Sequence, residues 1–431
     1  MKVEQKSSNV NPFGGLHLVH QHLNQKHIGL VIDHHLGSRQ GYYQYSDIIY
    51  TILSNYLSGG TNLEDLQNHL KPYYDQFKGF NPCSADTALR GMQELQQDNT
   101  WYISDQGISH KFNTADHLNA LNLKLLSKTG VLADNSSLTL DYDNTIIPCE
   151  KYDASKTYKH CRGYQPGIAS IGRHIVYIEG RNGNSQARYR QKETLTRTFE
   201  ALDREGIRPA YSRMDSASYQ KEVIEVLQYY HQVFYIRANR CQDLYQKVRQ
   251  MQGWQTIRLG TEFCQVNSIE GYYPFNNINQ SYRLIITRKP RHDSQNDLFF
   301  GDHYVYRAIL TNDYHTAPAG IVRFYNERGG SERNFDELNN DFGWHHLPFS
   351  FLEENTVFMI VSAICKNLFH YLMSQYSKCL NWLRPRQRIK RFIFRFITVV
   401  GRWVYTARQW VLQLHTCKDY KIKELEKMFS G

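Results

Sequence analysis

Residues 137–143, SLTLDYD, constrain the fold more than any other stretch of this chain. Leu138, Leu140 and Tyr142 alternate with Thr139, Asp141 and Asp143, the two-residue period of a half-buried strand. One face of that strand is apolar and belongs on a core. The other carries two carboxylates, and a carboxylate on a core strand needs a partner or a cation because burying it alone costs several kcal/mol. The chain must therefore build a sheet with one greasy face and one face that handles charge.

The elements that follow fit such a sheet. IASI and HIVYIEG read as two more strands with Gly172 at the turn, and a helical stretch covers about 190 to 204. PAYSRMD is a strand ending at Asp215, and after a further helix VFYIRAN is another. Three strands followed by alternating helices and strands predict a mixed α/β sheet flanked by helices. Asp143 and Asp215 fall at or near the ends of two strands, where sites form in such sheets.

A second charged stretch, YNERGGSERNFDELNN, spans residues 325–340. Steps of three and four bring Tyr325, Arg328 and Glu332 to one helix face. That face offers a phenol, a guanidinium able to clamp phosphate, and a carboxylate able to hold metal. Gly329 and Gly330 lie inside the predicted helix, where each costs roughly 1 kcal/mol relative to Ala. A solvated helix face with one i,i+4 pair explains the spacing equally well. Glu337, five residues beyond Glu332, should point elsewhere. Placed together, Asp143, Asp215 and Glu332 would repel one another unless cations neutralise them. Two Mg²⁺ ions about 4 Å apart would do so and would activate a water or a 3′ hydroxyl against a phosphate.

The flanks add further expectations. Residues 13–128 look mainly helical, with Leu16, Val19 and Leu23 in phase after Gly14 and Gly15. Ser46 is placed as one N-cap, Thr61 with Glu64 as a capping box, and Ser84 as another N-cap. These helices suit either a helix-turn-helix DNA reader or a docking domain. His17, His20, His22, His27, His34 and His35 lack carboxylate or cysteine partners at ligand spacing, so they are read as a solvated surface rather than a metal site. Residues 239–311 hold the β-type runs WQTIRL, YRLIITRK and YVYRAIL. ENTVFMIVSAICKNLFHYL is an apolar helix expected on the sheet. From 380 on, Arg384, Arg386, Arg388, Lys390, Arg391, Arg395, Arg402 and Arg408 interleave with Phe392, Phe394, Phe396, Trp403 and Tyr405, which predicts an amphipathic helix seeking a polyanion or a second protomer, or else a membrane surface.

A net charge of +10 favours a polyanionic partner, nucleic acid before membrane. The eight scattered cysteines include no CxxC, which argues against a structural zinc site. No apolar signal region and no run of membrane-spanning length is read, so a reducing, cytoplasmic location without a membrane partner is expected.

With LDYDNT, RMDSASY, FYIRAN and the Tyr325–Arg328–Glu332 register in place, the chain resembles the DDE transposases of bacterial insertion sequences, over nearly its whole length. It is most similar to the insertion sequence four superfamily, thirteen-eighty branch; GGLHLVHQHL and YYQYSDIIYTILSNYLSGGTNLEDL look like that group's N-terminal region. The resemblance implies an RNase H-like catalytic core over 131–238 and 312–380. It also implies an α-helical DNA-binding or docking domain over 1–130, a β-rich insertion over 239–311, and a basic helical tail over 381–431. It implies Asp143, Asp215 and Glu332 as catalytic metal ligands for Mg²⁺, with Mn²⁺ as a substitute. The x-Thr context at Thr145 favours Asp143 as first acid, with Asp141 as an alternative or supporting ligand. The family signature continues to a Lys, where this chain has Asn339. Tyr325, Arg328, Arg237, Asn339, Arg384, Arg386, Arg388, Lys390 and Arg391 are the implied DNA contacts. The implied activity is cut-and-paste transposition by a homodimer acting on double-stranded DNA at terminal inverted repeats, close to the bacterial nucleoid. A catalytically silent DNA-binding remnant and another RNase H-like nuclease stay open as alternatives.

Overall fold

The computed structural model describes residues 1–4, 10–132, 137–239, 242–275, 280–290 and 304–430. Helices α1 (Gly14–Gln25), α2 (Ile28–Leu36), α3 (Tyr45–Leu57), α4 (Asp65–His69) and α5 (Ala85–Gln93) come first. Ser84 caps α5 by accepting from the Thr87 N–H at 3.2 Å, as its position before the helix predicts. The other two caps lie elsewhere. Gln44 caps α3, with Asp47 closing the box, because Ser46 is engaged by Asp33. Asp65 and Asn62 bond each other's turn at the start of α4.

Strands β1 (Thr100–Ile103) and β2 (Ser109–Asn113) and helix α6 (Asp116–Lys128) follow, so the first 130 residues are not helical throughout. Next come β3 (Thr139–Asn144), three short strands β4 (Ile147–Pro148), β5 (Ser155–Lys156) and β6 (Arg162–Tyr164) in a separate small sheet, then β7 (Gly167–Ile171) and β8 (His174–Arg181). Gly172 makes the β7–β8 turn at φ +59°, a conformation that favours glycine. Helix α7 (Gln191–Arg204), β9 (Tyr211–Met214), α8 (Lys221–Tyr229) and β10 (Val233–Arg237) complete the alternation read from the sequence.

In the sheet these strands run β8-β7-β3-β9-β10. β7 is antiparallel to both β3 and β8, while β3, β9 and β10 are parallel. This is the RNase H-like mixed sheet. Helix α9 (Gln242–Arg249) precedes β11 (Gln255–Leu259), β12 (Glu262–Tyr272), β13 (Tyr282–Pro290) and β14 (Tyr304–Thr311). The β-rich stretch is no detached module. β14 pairs with β10 at Tyr235–Thr311 and the four strands extend the same sheet, while β2 extends the other edge by pairing with β8.

The two faces divide as the alternation of SLTLDYD requires. Leu140 and Tyr142 share a core with Leu195, Phe199, Ile224 and Leu227 of α7 and α8. The opposite face receives α10 (Pro318–Asn326), a 3-10 turn (Glu327–Gly329), α11 (Gly330–Asp341) and α12 (Leu352–Cys379). Helix α12 packs on β8 and joins the N-terminal helices in one core. It corrects the reading that no apolar run is long enough to span a membrane. The helix has 28 residues, and an 18-residue window within it has a mean hydropathy of 1.4, enough by length and composition, but that whole window is buried inside the protein. The helix is buried on all sides, as the central member of a core is, and its buried Asn355, Lys366, Asn367 and His370 are each hydrogen-bonded.

The tail is not one amphipathic helix. It forms α13 (Ile389–Phe392), a π turn (Ile393–Ile397), a hairpin of β15 (Val400–Thr406) and β16 (Gln409–His415), and α14 (Ile422–Ser430). Phe392 and Phe396 are fully buried and stack on each other and on Tyr376 of α12, so these two serve the main core, while Phe394 and Tyr405 are exposed. The histidine reading also changes. His17, His20 and His22 are buried among Phe77, Phe80, Tyr371 and Tyr376, whereas His27 and His34 are exposed. Of the eight cysteines, Cys241 lies outside the described residues, and the described seven are free thiols.

Candidate active site

Register explains how two acids 72 residues apart meet. β3 and β9 pair in parallel from Thr139–Tyr211 to Tyr142–Met214, and one step further sets Asp143 beside Asp215. Both stand where the strands end, on the face opposite Leu140 and Tyr142. Asp215 also caps a one-turn 3-10 helix by accepting from the Ala217 N–H at 3.0 Å. Asp143 is half-buried. Burial pushes its pKa up to about 6, opposed by the Arg328 charge and reinforced by Asp215.

Arg328 answers that charge. Its guanidinium donates to Asp143 Oδ2 at 2.7 Å. Burial favours its neutral form, but Asp143, Tyr325, Asp215 and Asp141 outweigh this and hold its pKa above the ordinary value. Tyr325 donates its hydroxyl to the Met214 carbonyl at 3.0 Å, one residue before Asp215. Burial raises the Tyr325 pKa to about 12, so the phenol stays protonated. Beside Tyr325 lies a cavity of about 380 Å³ whose lining includes Arg237, Lys289 and Arg307. Arg237, at the end of β10, thus lines the same cavity as Tyr325.

Asp141 is placed differently from its neighbour two residues on. It is 4% exposed, and both of its oxygens accept from Arg213, at 2.8 Å each. Burial raises its pKa while Arg213 opposes the shift. This bidentate pair occupies both Asp141 oxygens and ties β3 to β9. The signal for Arg213 was in the sequence. In RMD it precedes Asp215 by the same two residues that separate Asp141 from Asp143, so a parallel register pairs them.

Glu332 stands in the first turn of α11 and is exposed. It lies one helical turn, roughly 6 Å along the axis, from Arg328. The predicted single helix is interrupted by the 3-10 turn at Glu327–Gly329. A Cβ at Gly329 or Gly330 would meet nothing within 4 Å, so packing does not demand these glycines. Glu337 does point elsewhere. It is buried, accepts from His370 Nε2 at 2.8 Å and Arg173 at 3.0 Å, and lies 3.5 Å from the fully buried Lys366 ammonium. This cluster fixes α11 to α12.

Among the described residues, no three His, Cys, Asp or Glu side chains stand close enough to hold a metal ion. The chemistry of the donors nonetheless fits a divalent cation at Asp143 and Asp215. Two adjacent carboxylates, one with a raised pKa and already drawing a guanidinium, are stabilised by local positive charge. The remaining expected DNA contacts divide. Arg384, Arg386, Lys390 and Arg391 are exposed, and Asn339 is half-buried on α11. Arg388 does not join them. It pairs with Asp341 at 2.8 Å and with Asp336, bracing α11 from the tail.

The family described as transposase DDE domain group 1 matches residues 76–427. Similar solved structures include a piggyBac transposase synaptic complex with hairpin DNA, determined by cryo-EM, at 12% identity and a TM-score of 0.46, covering 90% of this chain and 80% of that one. A Drosophila P element transposase strand transfer complex is similar at 13% identity and a TM-score of 0.26, covering 47% of this chain and 42% of that one. No curated protein matches the chain. With the family match spanning most of its length, the chain belongs to the DDE transposases of domain group 1.

Proposed function

We propose that this protein is the cut-and-paste transposase of a bacterial insertion sequence, of the insertion sequence four superfamily and its thirteen-eighty branch. It acts as a homodimer on double-stranded DNA at terminal inverted repeats, near the nucleoid. The observation that carries this reading is the pair Asp143–Asp215, set side by side by strand register with Arg328 on Asp143.

Asp143, Asp215 and Glu332 are the residues that would hold two Mg²⁺ ions, or Mn²⁺ in their place. Bound there, the ions supply Lewis-acid activation of a water or 3′ hydroxyl and neutralise phosphate charge. Glu332 comes to the strand-end acids by adjustment at Gly329–Gly330, the weakest helix formers of the segment. Arg328 turns from Asp143 to the scissile phosphate, which it clamps through two N–H groups. Tyr325, tethered to the Met214 carbonyl, holds the flanking nucleotide, and Arg237 takes a neighbouring phosphate. Arg384, Arg386, Lys390 and Arg391 grip the duplex backbone, while Asn339 contributes a contact weaker than Lys would.

Incubation with Mg²⁺ and DNA carrying the element's ends tests the proposal. Cleavage confined to the terminal repeats, followed by joining of the freed 3′ ends, is expected. Binding without cutting would instead identify a silent remnant. Cutting without regard to end sequence would identify a general nuclease on the same fold.

A further inference from the structure

A second cavity, of about 770 Å³, lies between α1, the Lys78–Gly79 turn, the β15–β16 hairpin and the segment entering α14. It shares no residue with the acidic site. Two rings of its wall, His17 and Trp403, hold polar atoms that are unpartnered and closed off from solvent. His17 is 5% exposed, and neither of its ring nitrogens has a partner among the described residues. The Trp403 Nε1–H, on a ring 5.3 Å away and edge-on to it, is buried without a partner as well. Each such group costs roughly 1–3 kcal/mol, and folded proteins rarely retain them without use.

The wall is built rather than incidental. Asn11 and Gly401 exchange two backbone hydrogen bonds of 2.8 Å, which tie the start of α1 to β15. A Cβ on Gly15 would come within 2.2 Å of the Phe396 carbonyl, and one on Gly14 within 2.7 Å of the Val399 carbonyl. Only glycine lets α1 approach closely enough to set His17 against Trp403.

Chemistry selects the occupant. Burial lowers the His17 pKa to about 4, so its imidazole is neutral and offers one donor and one acceptor. Trp403 adds a donor. A phosphate or carboxylate would leave the acceptor unmatched, and an apolar side chain would leave all three atoms unmatched. A nucleobase edge carries donors and acceptors together. At the mouth, Trp410 is 53% exposed and holds the Lys78 ammonium 4.0 Å from its ring centre, a cation on an aromatic face that a base can replace. Lys418 and Lys421 complete a basic rim, tempered by Asp419 and Glu426. A rim of such modest charge suits one nucleotide better than a long strand.

We propose that this cavity binds a single unpaired nucleotide of a DNA strand. The base stacks on Trp410, Lys78 moves to the phosphate, and the His17 and Trp403 rings turn so that their buried nitrogens meet the base edge. The proposal rests on the chain acting on DNA, but not on the acids at Asp143, Asp215 and Glu332.

The test uses the full chain in chelator, with a short oligothymidylate of roughly 8 nucleotides and a blunt duplex of equal length as probes. The single strand should bind and quench tryptophan emission. Trp410→Ala should weaken it about tenfold while changing duplex affinity little, and His17→Phe should weaken it with Trp410 intact. Absence of single-strand binding, an unchanged affinity in Trp410→Ala, or equal losses for both probes would overturn the proposal. Because no cleavage is read, failure of end-specific cutting would leave this result standing, and the converse also holds.

Discussion

Replacing Glu337 with Gln should destabilise the protein without touching the proposed chemistry. Lys366 is fully buried, and its ammonium lies 3.5 Å from Glu337 Oε2, with the Arg173 carbonyl and Asn334 Oδ1 as its other partners. Burial lowers the Lys366 pKa to about 8, against the opposing pull of Glu337. Desolvation would raise the Glu337 pKa, but the His370 hydrogen bond and the charges of Lys366 and Arg173 hold it well below the ordinary carboxylate range. Breaking a buried pair by removing one partner costs about 3–5 kcal/mol. Unfolding entropy of about 2.1 cal/mol/K per residue makes this a fall in Tm of about 3–6 °C for a chain of 431 residues. Scanning calorimetry or circular dichroism on the full chain reads it. Lys366→Met added to Glu337→Gln should restore most of the loss, since the buried ammonium then goes as well. The pH trend has a definite sign. A depressed carboxylate pKa gives stability that is present above the unfolded value and lost as pH falls through the folded one, so variant and parent converge in acid. A Tm within about 1 °C of the parent at neutral pH, or no recovery in the double variant, would refute the reasoning.

Three further outcomes follow from the same structure. Arg213→Gln leaves the buried Asp141 carboxylate unpaired and should cost about 3–5 kcal/mol in urea unfolding, with Asp141→Asn recovering much of it. Asp143, raised to about 6, must be ionised to hold a cation, so Mg²⁺ affinity by calorimetry should fall about tenfold per pH unit below that value; a flat affinity from pH 7 to 5 would contradict the site. Asn339→Lys should tighten binding to end DNA and steepen its salt dependence by about one counterion, and an unchanged slope would place this residue away from the backbone.

What was legible in the sequence was what depends on local period. SLTLDYD announced its strand, its two faces and the acids on one of them. The equal spacing of Asp141–Asp143 and Arg213–Asp215 becomes contact once the strands pair in parallel. The tail was not legible, for two reasons. Phe392 and Phe396 are four apart, as on a solvated amphipathic helix, and only Tyr376 on α12 shows that they face inward. The hairpin turn is Ala407–Arg408, with φ of +49° and +62°, a geometry that usually advertises itself through Asn-Gly or Asp-Gly. Arg388 misled for a related reason. Its acids, Asp336 and Asp341, lie about fifty residues upstream, so it read as a free cation among free cations. The histidines of α1 looked solvated because polarity was taken for exposure, whereas the rings of Phe77, Phe80 and Tyr371 bury them. For Glu332, sequence supplied a register and the structure an exposed position one turn from Arg328, leaving its approach to the other acids to experiment.

That approach is the centre of the account. Glu332→Gln keeps the size of an exposed side chain and removes its charge, so folding and binding to end DNA should be unchanged. Single-turnover cleavage of a labelled terminal-repeat duplex in Mg²⁺ should then fall by a factor of about a thousand or more, because the carboxylate that completes the metal site is gone. A Glu332→Gln protein that folds, binds end DNA and cuts it at the parent's rate would contradict the assignment.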